Sequence, residues 1–241
     1  MKAFLLAGGL GTRLLPLTER VPKCLLPIKG VPMLQIWFGL CRQYGIEEIL
    51  INVHRHGDIV TDFVAEHAHG LRVRVYEEKT LLGSAGTVRA NRDWIRKDPS
   101  FWIFYADVLT TIPLNEMFRF HNARGQVATI GVCDVPNPSR CGIVQVDAAG
   151  IVQEFVEKPK MPIGSLAFAG IMIGTAALIK NISDKCPVDF GFDVLPHIVG
   201  QMAAYRIKDF LIDIGTPETY GLAQTTWPGV PSMSNFGAER C

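Results

Sequence analysis

The first 29 residues constrain the fold of this chain more than any other stretch, because they join an apolar run to a glycine-rich turn. Residues 3–7 (AFLLA) are apolar without polar alternation, a pattern typical of a strand that is covered on both faces in a parallel sheet. Three glycines follow within the next four residues. The stretch therefore predicts a central strand of an α/β sheet that ends in a ligand-binding turn.

The glycine turn predicts a loop that binds the phosphates of a nucleoside triphosphate. Gly8, Gly9 and Gly11 have no Cβ, so backbone N–H groups can close around phosphate oxygens. Thr12 adds a hydroxyl donor, and the planar guanidinium of Arg13 suits two phosphate oxygens at once.

A second cation, Lys23, follows ten residues after Arg13 and lies between Pro22 and Pro27. The prolines disfavour a long helix, so we expect Lys23 on a loop from which its ammonium reaches the same phosphates. Two familiar nucleotide motifs do not fit. Leu14 stands where a dinucleotide-binding fold needs its third glycine, and no Gly-Lys-Ser/Thr tripeptide marks a P-loop. If the glycines are considered without the two cations, the alternative is that they form only a tight turn after the first strand and bind no ligand.

Two further stretches carry candidate site residues. Gly83, Ser84 and Gly86 allow a close approach to a flat ligand, and the alternative is a plain loop with a helix cap at Ser84. Asp107 follows an apolar strand, where open α/β sheets bind their ligands, and its carboxylate suits Mg²⁺. The alternative is a helix cap or an ordinary loop aspartate.

The remaining pattern predicts helices between the strands. A helix is expected from the glycine turn at residue 86 to about Trp94, and a short helix is expected within residues 189–200. Thr216 and Pro217 fit the N-cap and first position of a further helix. Strands that alternate with helices in the first half, and hairpin strands after residue 126, predict a largely parallel, doubly wound sheet that is extended as a mixed sheet.

The motifs of the first 29 residues resemble the signature of the sugar-1-phosphate nucleotidylyltransferases, the enzymes that make nucleotide sugars. The resemblance rests on these positions: Gly8, Gly9, Gly11, Thr12, Arg13, Leu14, Pro16, Leu17, Thr18, Pro22, Lys23, Leu25, Pro27 and Ile28. It covers about residues 1–227 and implies a glycosyltransferase-A-like (Rossmann-like) α/β fold. It also implies a nucleoside triphosphate and a sugar 1-phosphate as substrates, with Mg²⁺ as the cofactor.

The resemblance implies a role for each candidate residue. In the catalytic set, Arg13 binds the leaving pyrophosphate, Lys23 binds the phosphates around the reacting α-phosphorus, and Asp107 and Asp213 hold Mg²⁺. The nucleotide is expected to contact Leu6, Ala7, Gly8, Gly9, Gly11, Thr12, Arg13, Lys23, Gly83, Ser84 and Gly86. The sugar phosphate is expected to contact Gly142, Glu157, Lys158, Ala169 and Gly170. In that group Lys158 reaches the phosphate and Glu157 the sugar hydroxyls, and a solvated ion pair of little energetic value is the alternative.

The sequence departs from the family pattern at four positions. Ser84 stands where Thr is common, and Ala106 stands before the metal-binding acid where the family carries Gly or Ser. Cys141 replaces a Tyr, and Phe168 replaces an Asn that contacts a sugar hydroxyl. The last two changes make the acceptor sugar the least defined part of the interpretation.

Among the subfamilies, the motifs are most similar to those of mannose-1-phosphate guanylyltransferases, with heptose-1-phosphate guanylyltransferases close. We therefore expect GTP and a sugar 1-phosphate of the mannose or heptose type as substrates. A glucose-1-phosphate thymidylyltransferase or another NDP-sugar pyrophosphorylase is the alternative within the class. A non-catalytic subunit that senses nucleotide sugars is the alternative from another class, and the retention of both acids and both cations argues against it.

Length and charge limit which domain organisations and which partners are possible. The 241 residues predict a single domain over residues 1–227, with a nucleotide-binding half at about 1–110, a sugar-phosphate-binding half at about 111–227, and a loose tail over 228–241. A net charge of +1 disfavours a broad nucleic-acid or membrane surface. No signal peptide or long apolar stretch is evident, which predicts a cytoplasmic protein. The sequence leaves a homo-oligomer open.

Overall fold

The computed structural model describes residues 1–230, which form an α/β structure around one large sheet. The strands are β1 (Lys2–Leu6), β2 (Pro27–Ile28), β3 (Val31–Pro32), β4 (Glu48–Val53), β5 (Arg72–Glu77), β6 (Ser100–Tyr105), β7 (Val108–Thr110), β8 (Ala128–Asp134), β9 (Gly142–Val146), β10 (Val152–Glu157), β11 (Leu166–Thr175), β12 (Met202–Arg206) and β13 (Leu211–Asp213). The α-helices are α1 (Met33–Gln43), α2 (Gly57–His67), α3 (Ser84–Ala90), α4 (Arg92–Ile95), α5 (Leu114–Arg124), α6 (Ala176–Lys180) and α7 (Pro217–Thr226).

Within residues 1–230 the large sheet has nine strands, and β1 lies near its centre. β4 and β6 flank β1 in parallel, and β5 continues the parallel half beyond β4. β11 pairs antiparallel with β6 and connects it to β8, β9, β10 and β12. In this sheet β10 and β11 run against the direction that the other seven strands share. The predicted doubly wound, mostly parallel mixed sheet is therefore confirmed.

Alternate residues of the central strands face two separate cores, which explains the continuous apolar run of β1. Ala3 and Leu5 pack in one core, whereas Phe4 packs in the other. β6 follows the same rule, with Trp102 and Phe104 in the first core. Helices α1, α5 and α7 contribute side chains to the first core, and α3 and α6 contribute to the second. Both faces of the sheet are thus covered, as an apolar strand without alternation requires.

A two-stranded ribbon beside the large sheet joins two distant parts of the chain. β7 follows β6 after a turn that contains Asp107, and β13 pairs with β7 in antiparallel register, with Asp213 opposite Val108. The N–H of Ile214 donates to the carbonyl of Asp107 at 3.0 Å. The ribbon therefore holds the two predicted metal-binding acids side by side.

Two elements differ from the pattern that the sequence predicts. The helix expected after residue 86 is interrupted at Asn91, whose Nδ2 donates to the carbonyl of Thr87 at 3.0 Å and so competes with the helical backbone. The segment within residues 189–200 forms a π-helical turn at Phe190–Val194 and then a 3₁₀ turn at Leu195–His197. Turns of the π type are rare and occur frequently at functional sites.

The predicted tail falls mainly on residues 231–241, which lie outside the described residues. Of its first three residues, Val230 packs against the first core, which also contains the buried Trp227. In the described part of the chain, no helix combines the length and the apolar character needed to cross a bilayer.

The aromatic stack at the centre of the first core gives a test of the packing. Phe104 is fully buried, and its ring stacks on Trp37 and Trp102 with centroid distances of 4.6 and 5.2 Å. We predict that Phe104→Ala lowers the free energy of unfolding by about 3–5 kcal/mol, because it removes a buried ring and leaves a cavity. Urea denaturation followed by tryptophan fluorescence measures the change. The control Leu222→Ala, at a side chain 52% exposed on α7, is expected to change it by less than about 0.5 kcal/mol. Equal losses in both variants would contradict this packing.

Candidate active site

The first two groups of the candidate site meet beside the carboxyl end of β6. Lys23 lies in a 3₁₀ turn at Lys23–Leu25, and its Nζ is 2.5 Å from Oδ2 of Asp107. Both side chains are mostly covered, with 13% and 26% of their surfaces exposed. The ion pair therefore brings a cation from the glycine-rich N-terminal region into contact with the acid that follows β6.

Asp213 and Arg13 complete a cluster of four charged groups. Asp213 lies at the end of β13 and is partly exposed to solvent. The protein packed around its side chain and the neighbouring charge of Asp107 raise the pKa of Asp213 above its usual value. Arg13 approaches from the glycine loop, since a Cβ on Gly215 would lie 2.9 Å from Nη2 of Arg13 and overlap the carboxylate of Asp213. The structure thus brings together all four residues that the sequence predicts as catalytic.

The glycine loop that carries Arg13 into this cluster also has backbone N–H donors available. In the part of the chain that the structure describes, the N–H groups of Gly8, Gly9 and Gly11 have no protein acceptor. A Cβ on Gly9 would meet nothing within 4 Å, so this side of the loop is open. Gly11 has a φ of +65°, a conformation that favours glycine, and Oγ1 of Thr18 donates to its carbonyl at 2.8 Å. The hydrogen bond from Thr18 therefore stabilises the loop conformation, and the backbone N–H groups of the loop remain available to an anion.

A buried hydrogen-bond network, which the sequence interpretation missed, ties the loop to two other elements. Asn52 is 5% exposed near the end of β4, and its Oδ1 accepts from the N–H of Ala7 at 2.8 Å. Its Nδ2 donates to Oε1 of Glu78 at 2.9 Å and to Oγ1 of Thr87 at 3.1 Å. The Thr87 hydroxyl donates to the same Glu78 oxygen at 2.5 Å, and the N–H of Leu82 donates to Oε2 at 3.1 Å. The loop, the end of β5 and α3 therefore meet at one asparagine.

The network also explains why residue 8 is a glycine. A Cβ on Gly8 would lie 2.6 Å from Nδ2 of Asn52, so any larger residue would displace the amide. One signal in the sequence could have found Asn52, namely a polar side chain near the carboxyl end of the otherwise apolar run ILINV.

The glycines at 83 and 86 pack against another segment of the chain itself. Gly83 has a φ of +80°, and a Cβ there would overlap the backbone of Val188. The N–H groups of Ala85 and Gly86 both donate to the Val188 carbonyl at 3.0 Å. The close approach predicted for a ligand is thus made by Val188, and a contact of this turn with the nucleotide stays a prediction.

Ser84 strengthens the same junction. Its Oγ donates to Oδ1 of Asp189 at 3.0 Å and accepts from the N–H of Phe190 at 2.9 Å. Its backbone N–H also donates to Oδ1 of Asp189 at 3.0 Å. The start of α3 is therefore capped from outside the helix, by an aspartate far along the chain.

The predicted sugar-phosphate pair lies at the end of β10. Oε2 of Glu157 lies against two glycines, since a Cβ on Gly142 or Gly191 would be 2.6 or 2.5 Å from it. Burial raises the pKa of Glu157, and the charge of Lys158 opposes this shift. Lys158 has a φ of +49°, its N–H donates to the carbonyl of Cys141 at 2.9 Å, and its Nζ lies 3.7 Å from Oε1 of Glu157.

The predicted contacts on β11 have packing roles in this structure. Ala169 is buried in the first core, and a Cβ on Gly170 would lie 2.9 Å from Cγ2 of Val108. The Phe168 ring meets the ring of Tyr105 edge-on, with centroids 5.7 Å apart. These residues shape the corner between β6 and β7, and a contact of Ala169 or Gly170 with the sugar stays a prediction.

The Tyr105 side chain connects the three parts of the site. Burial raises the pKa of its phenol, and a hydrogen bond with Ser84 opposes the shift. The charges of Asp189, Glu157 and Asp107 all lie near enough to raise this pKa further. The turn at residues 83–86, the sugar-phosphate pair and the acid cluster are therefore neighbours around one residue.

Asp107 and Asp213 fit a hard divalent cation. Their carboxylate oxygens are the ligands that Mg²⁺ prefers, and the pKa of Asp213 is raised by burial first and by the neighbouring charge of Asp107 second. Within residues 1–230, no group of three or more His, Cys, Asp or Glu side chains could hold a metal ion. A site with two carboxylates matches the way in which Mg²⁺ is usually bound, with substrate phosphates as further ligands.

Comparison with known proteins identifies the family. The model of the nucleotidyl transferase family matches residues 2–227, so the chain belongs to this family. A curated relative, probable mannose-1-phosphate guanylyltransferase 1 of Oryza sativa subsp. japonica, is 33% identical over 228 residues, which cover 91% of this chain. The match covers 63% of that relative, so the chain spans less than two thirds of its length.

Solved structures show the same fold. HddC from Yersinia pseudotuberculosis, complexed with GMP-PN, has a TM-score of 0.78 and 25% identity, and the match covers 94% of this chain and 99% of that one. A UDP-glucose pyrophosphorylase complexed with UDP-glucose has a TM-score of 0.81 at 20% identity, with 94% and 97% covered. The fold that the sequence resemblance implies is thus confirmed.

The buried network gives the second prediction. Asn52→Ala leaves the N–H of Ala7 and the carboxyl group of Glu78 short of partners, so we predict that it lowers the free energy of unfolding by about 2–4 kcal/mol. Urea denaturation measures the change. The control Asn181→Ala removes an exposed asparagine whose amide donates locally, to the carbonyl of Ala177, and is expected to cost less than about 0.5 kcal/mol. An unchanged stability in the Asn52 variant would show that the network does not hold the loop.

Proposed function

We propose that the protein is a cytoplasmic, Mg²⁺-dependent sugar-1-phosphate nucleotidylyltransferase. It transfers a nucleoside monophosphate from a nucleoside triphosphate, with GTP favoured, to a sugar 1-phosphate of the mannose or heptose type. The products are an NDP-sugar and pyrophosphate. Nucleic acids and membranes are not among the proposed partners.

The cluster of Arg13, Lys23, Asp107 and Asp213 is the observation that carries the proposal. Two acids and two cations from three distant parts of the chain meet at the carboxyl ends of central strands. Open α/β sheets bind their ligands at this edge. A module that only binds a nucleotide has little need of two adjacent acids, so the cluster favours catalysis over sensing.

The proposed reaction needs positioning and charge neutralisation rather than a covalent intermediate. An oxygen of the sugar phosphate attacks the α-phosphorus of the triphosphate, and the bond to the β-phosphate oxygen breaks as pyrophosphate leaves. A phosphate monoester has its second pKa near 6, so the nucleophile is already mostly ionised and needs no general base. The residues of the cleft therefore act by alignment and by stabilising negative charge.

Each side chain of the cluster has a role in this scheme. The guanidinium of Arg13 holds the leaving pyrophosphate by bidentate hydrogen bonds, and the N–H groups of the glycine loop bind further oxygens. Lys23, anchored on Asp107, places its charge at the reacting phosphate. When bound to Asp107 and Asp213, Mg²⁺ neutralises charge that develops on the phosphates.

The sugar phosphate occupies the side of Glu157 and Lys158 in this proposal. The glycines at 142 and 191 allow the Glu157 carboxylate to pack closely beside them, and in this proposal the carboxylate accepts hydrogen bonds from sugar hydroxyls. Lys158 reaches the phosphate from the rim, where 55% of its side chain is exposed.

The relatives support the choice of substrates. The curated relatives at 31–33% identity carry the names of mannose-1-phosphate guanylyltransferases, which favours GTP and mannose 1-phosphate. The HddC structure complexed with GMP-PN covers nearly the whole of this chain and agrees with a guanine nucleotide. Pyrophosphate release from four nucleoside triphosphates, each paired with mannose, glucose and heptose 1-phosphates, tests this choice directly.

The acid cluster gives the third prediction. We predict that Asp107→Asn lowers kcat by at least about a hundredfold, because it removes one charge from the proposed metal site and the partner of Lys23. Circular dichroism should show an unchanged fold. The matched control Asp184→Asn changes a fully exposed aspartate that pairs with Arg89, and it is expected to keep wild-type turnover. Wild-type turnover in the Asp107 variant would refute the metal assignment.

Removal of the metal gives the fourth prediction. Treatment with EDTA is expected to stop pyrophosphate release, and Mg²⁺ in excess of the chelator is expected to restore it. We also predict that Mg²⁺ raises the affinity for GTP, measured by calorimetry, in the wild type and much less in Asp213→Asn. Full turnover in the presence of EDTA would exclude a divalent cation from the reaction.

A further inference from the structure

Phe192 is an exposed aromatic residue that belongs to neither core. It lies in the π-helical turn at Phe190–Val194, and 56% of its surface is exposed. Its ring faces the ammonium of Lys158, with Nζ 5.4 Å from the ring centroid. This distance is within the range of a cation–π interaction.

The turn that carries Phe192 is firmly attached to its surroundings. The N–H of Val188 donates to the carbonyl of Leu82 at 2.9 Å, which closes the contact with the turn at residues 83–86. Oδ2 of Asp193 accepts from the N–H of Asp189 at 2.8 Å, and Oδ1 of Asp193 pairs with Lys185 at 2.9 Å. The Phe192 ring is therefore presented from a rigid support despite its exposure.

The backbone of Lys158 is fixed by the structure, whereas its long side chain needs further contacts if it is to be ordered. The positive φ and the bond from its N–H to the Cys141 carbonyl fix the main chain. A lysine side chain on the surface otherwise samples many rotamers, at a large cost in entropy when it is ordered. Two neighbouring groups contact its ammonium, namely the Glu157 carboxylate and the Phe192 ring. Gly191, next to Phe192, also abuts the Glu157 carboxylate.

We propose that Phe192 positions the ammonium of Lys158 for the phosphate of the sugar 1-phosphate. The inference rests on the proposed function, in which Lys158 binds that phosphate. An aromatic ring suits the task because it attracts the cation through its face without a formal negative charge. The ammonium thus keeps its charge and its N–H donors available for the substrate. A second carboxylate beside it would offset that charge and occupy some of those donors.

A spectroscopic experiment tests the contact without any substrate. Lysine amines of the full chain are converted to ¹³C-dimethylamines, which remain cationic, and Lys158→Arg identifies the Lys158 signal. We expect this signal to be shifted upfield by the Phe192 ring current, to lose the shift in Phe192→Leu and to retain it in Phe192→Tyr. A Lys158 signal that is unchanged in Phe192→Leu overturns the proposal.

Kinetics test the consequence for binding. Phe192→Leu is expected to raise KM for the sugar 1-phosphate by about two- to fivefold, the equivalent of an exposed cation–π contact, while KM for the triphosphate stays unchanged. Phe192→Tyr is expected to restore the wild-type value. In a Lys158→Met background, Phe192→Leu is expected to have no further effect. An equal effect with and without Lys158 overturns the proposal, because the ring would then act on something else.

A matched control removes a comparable contact away from the site. Phe120 on α5 lies beneath Arg124, with the guanidinium carbon 4.9 Å from the ring centroid. Phe120→Leu is expected to leave both KM values and the Lys158 signal unchanged. If the wild type releases no pyrophosphate with any sugar phosphate, the proposed function fails, and the Lys158 signal alone then decides whether Phe192 positions the ammonium.

Discussion

The site depends first on one buried carboxyl group, whose two oxygens both accept hydrogen bonds. Glu78 is 3% exposed, and its two oxygens accept from Asn52, Thr87 and the backbone of Leu82. A buried acid without such donors would be strongly destabilising. Because Asn52 also accepts from the backbone at Ala7, the requirement to satisfy Glu78 fixes where the glycine loop leaves the sheet. The phosphate binding proposed for this loop would therefore depend on side chains that never touch the phosphate.

Periodicity and turn chemistry made much of the fold predictable. The apolar run at residues 3–7 encodes burial on both faces, and the cap at Thr216 with Pro217 encodes the start of α7. These signals are local, so a single sequence contains them. The pairing of Asn52 with Glu78 is different, because it depends on which strands become neighbours, and the identity of one residue does not reveal its partner across the sheet.

The turn at residues 83–86 shows a second limit of the sequence. A glycine without a Cβ allows close approach by a ligand or by another stretch of backbone, and the residue type is the same in both cases. Here Gly83 makes room for Val188, a contact that only the three-dimensional arrangement reveals. The four charged groups were easier to identify, since Arg13, Lys23 and Asp107 each follow a recognisable strand or loop pattern and Asp213 matches a motif of the family that the sequence resembles. Their charges balance in pairs, and this allows them to lie close together.

The ribbon of β7 and β13 has a consequence for the order in which the site is assembled. The glycine loop and Asp107 belong to the first half of the chain, whereas Asp213 joins them from a strand made much later. Contacts between residues so far apart form slowly, because a long loop must close before they can stabilise anything. During synthesis, the glycine loop can emerge well before the second acid. Under the proposed function, the capacity to hold a nucleotide would therefore precede the capacity to transform it, and turnover would begin only when one of the last strands has docked.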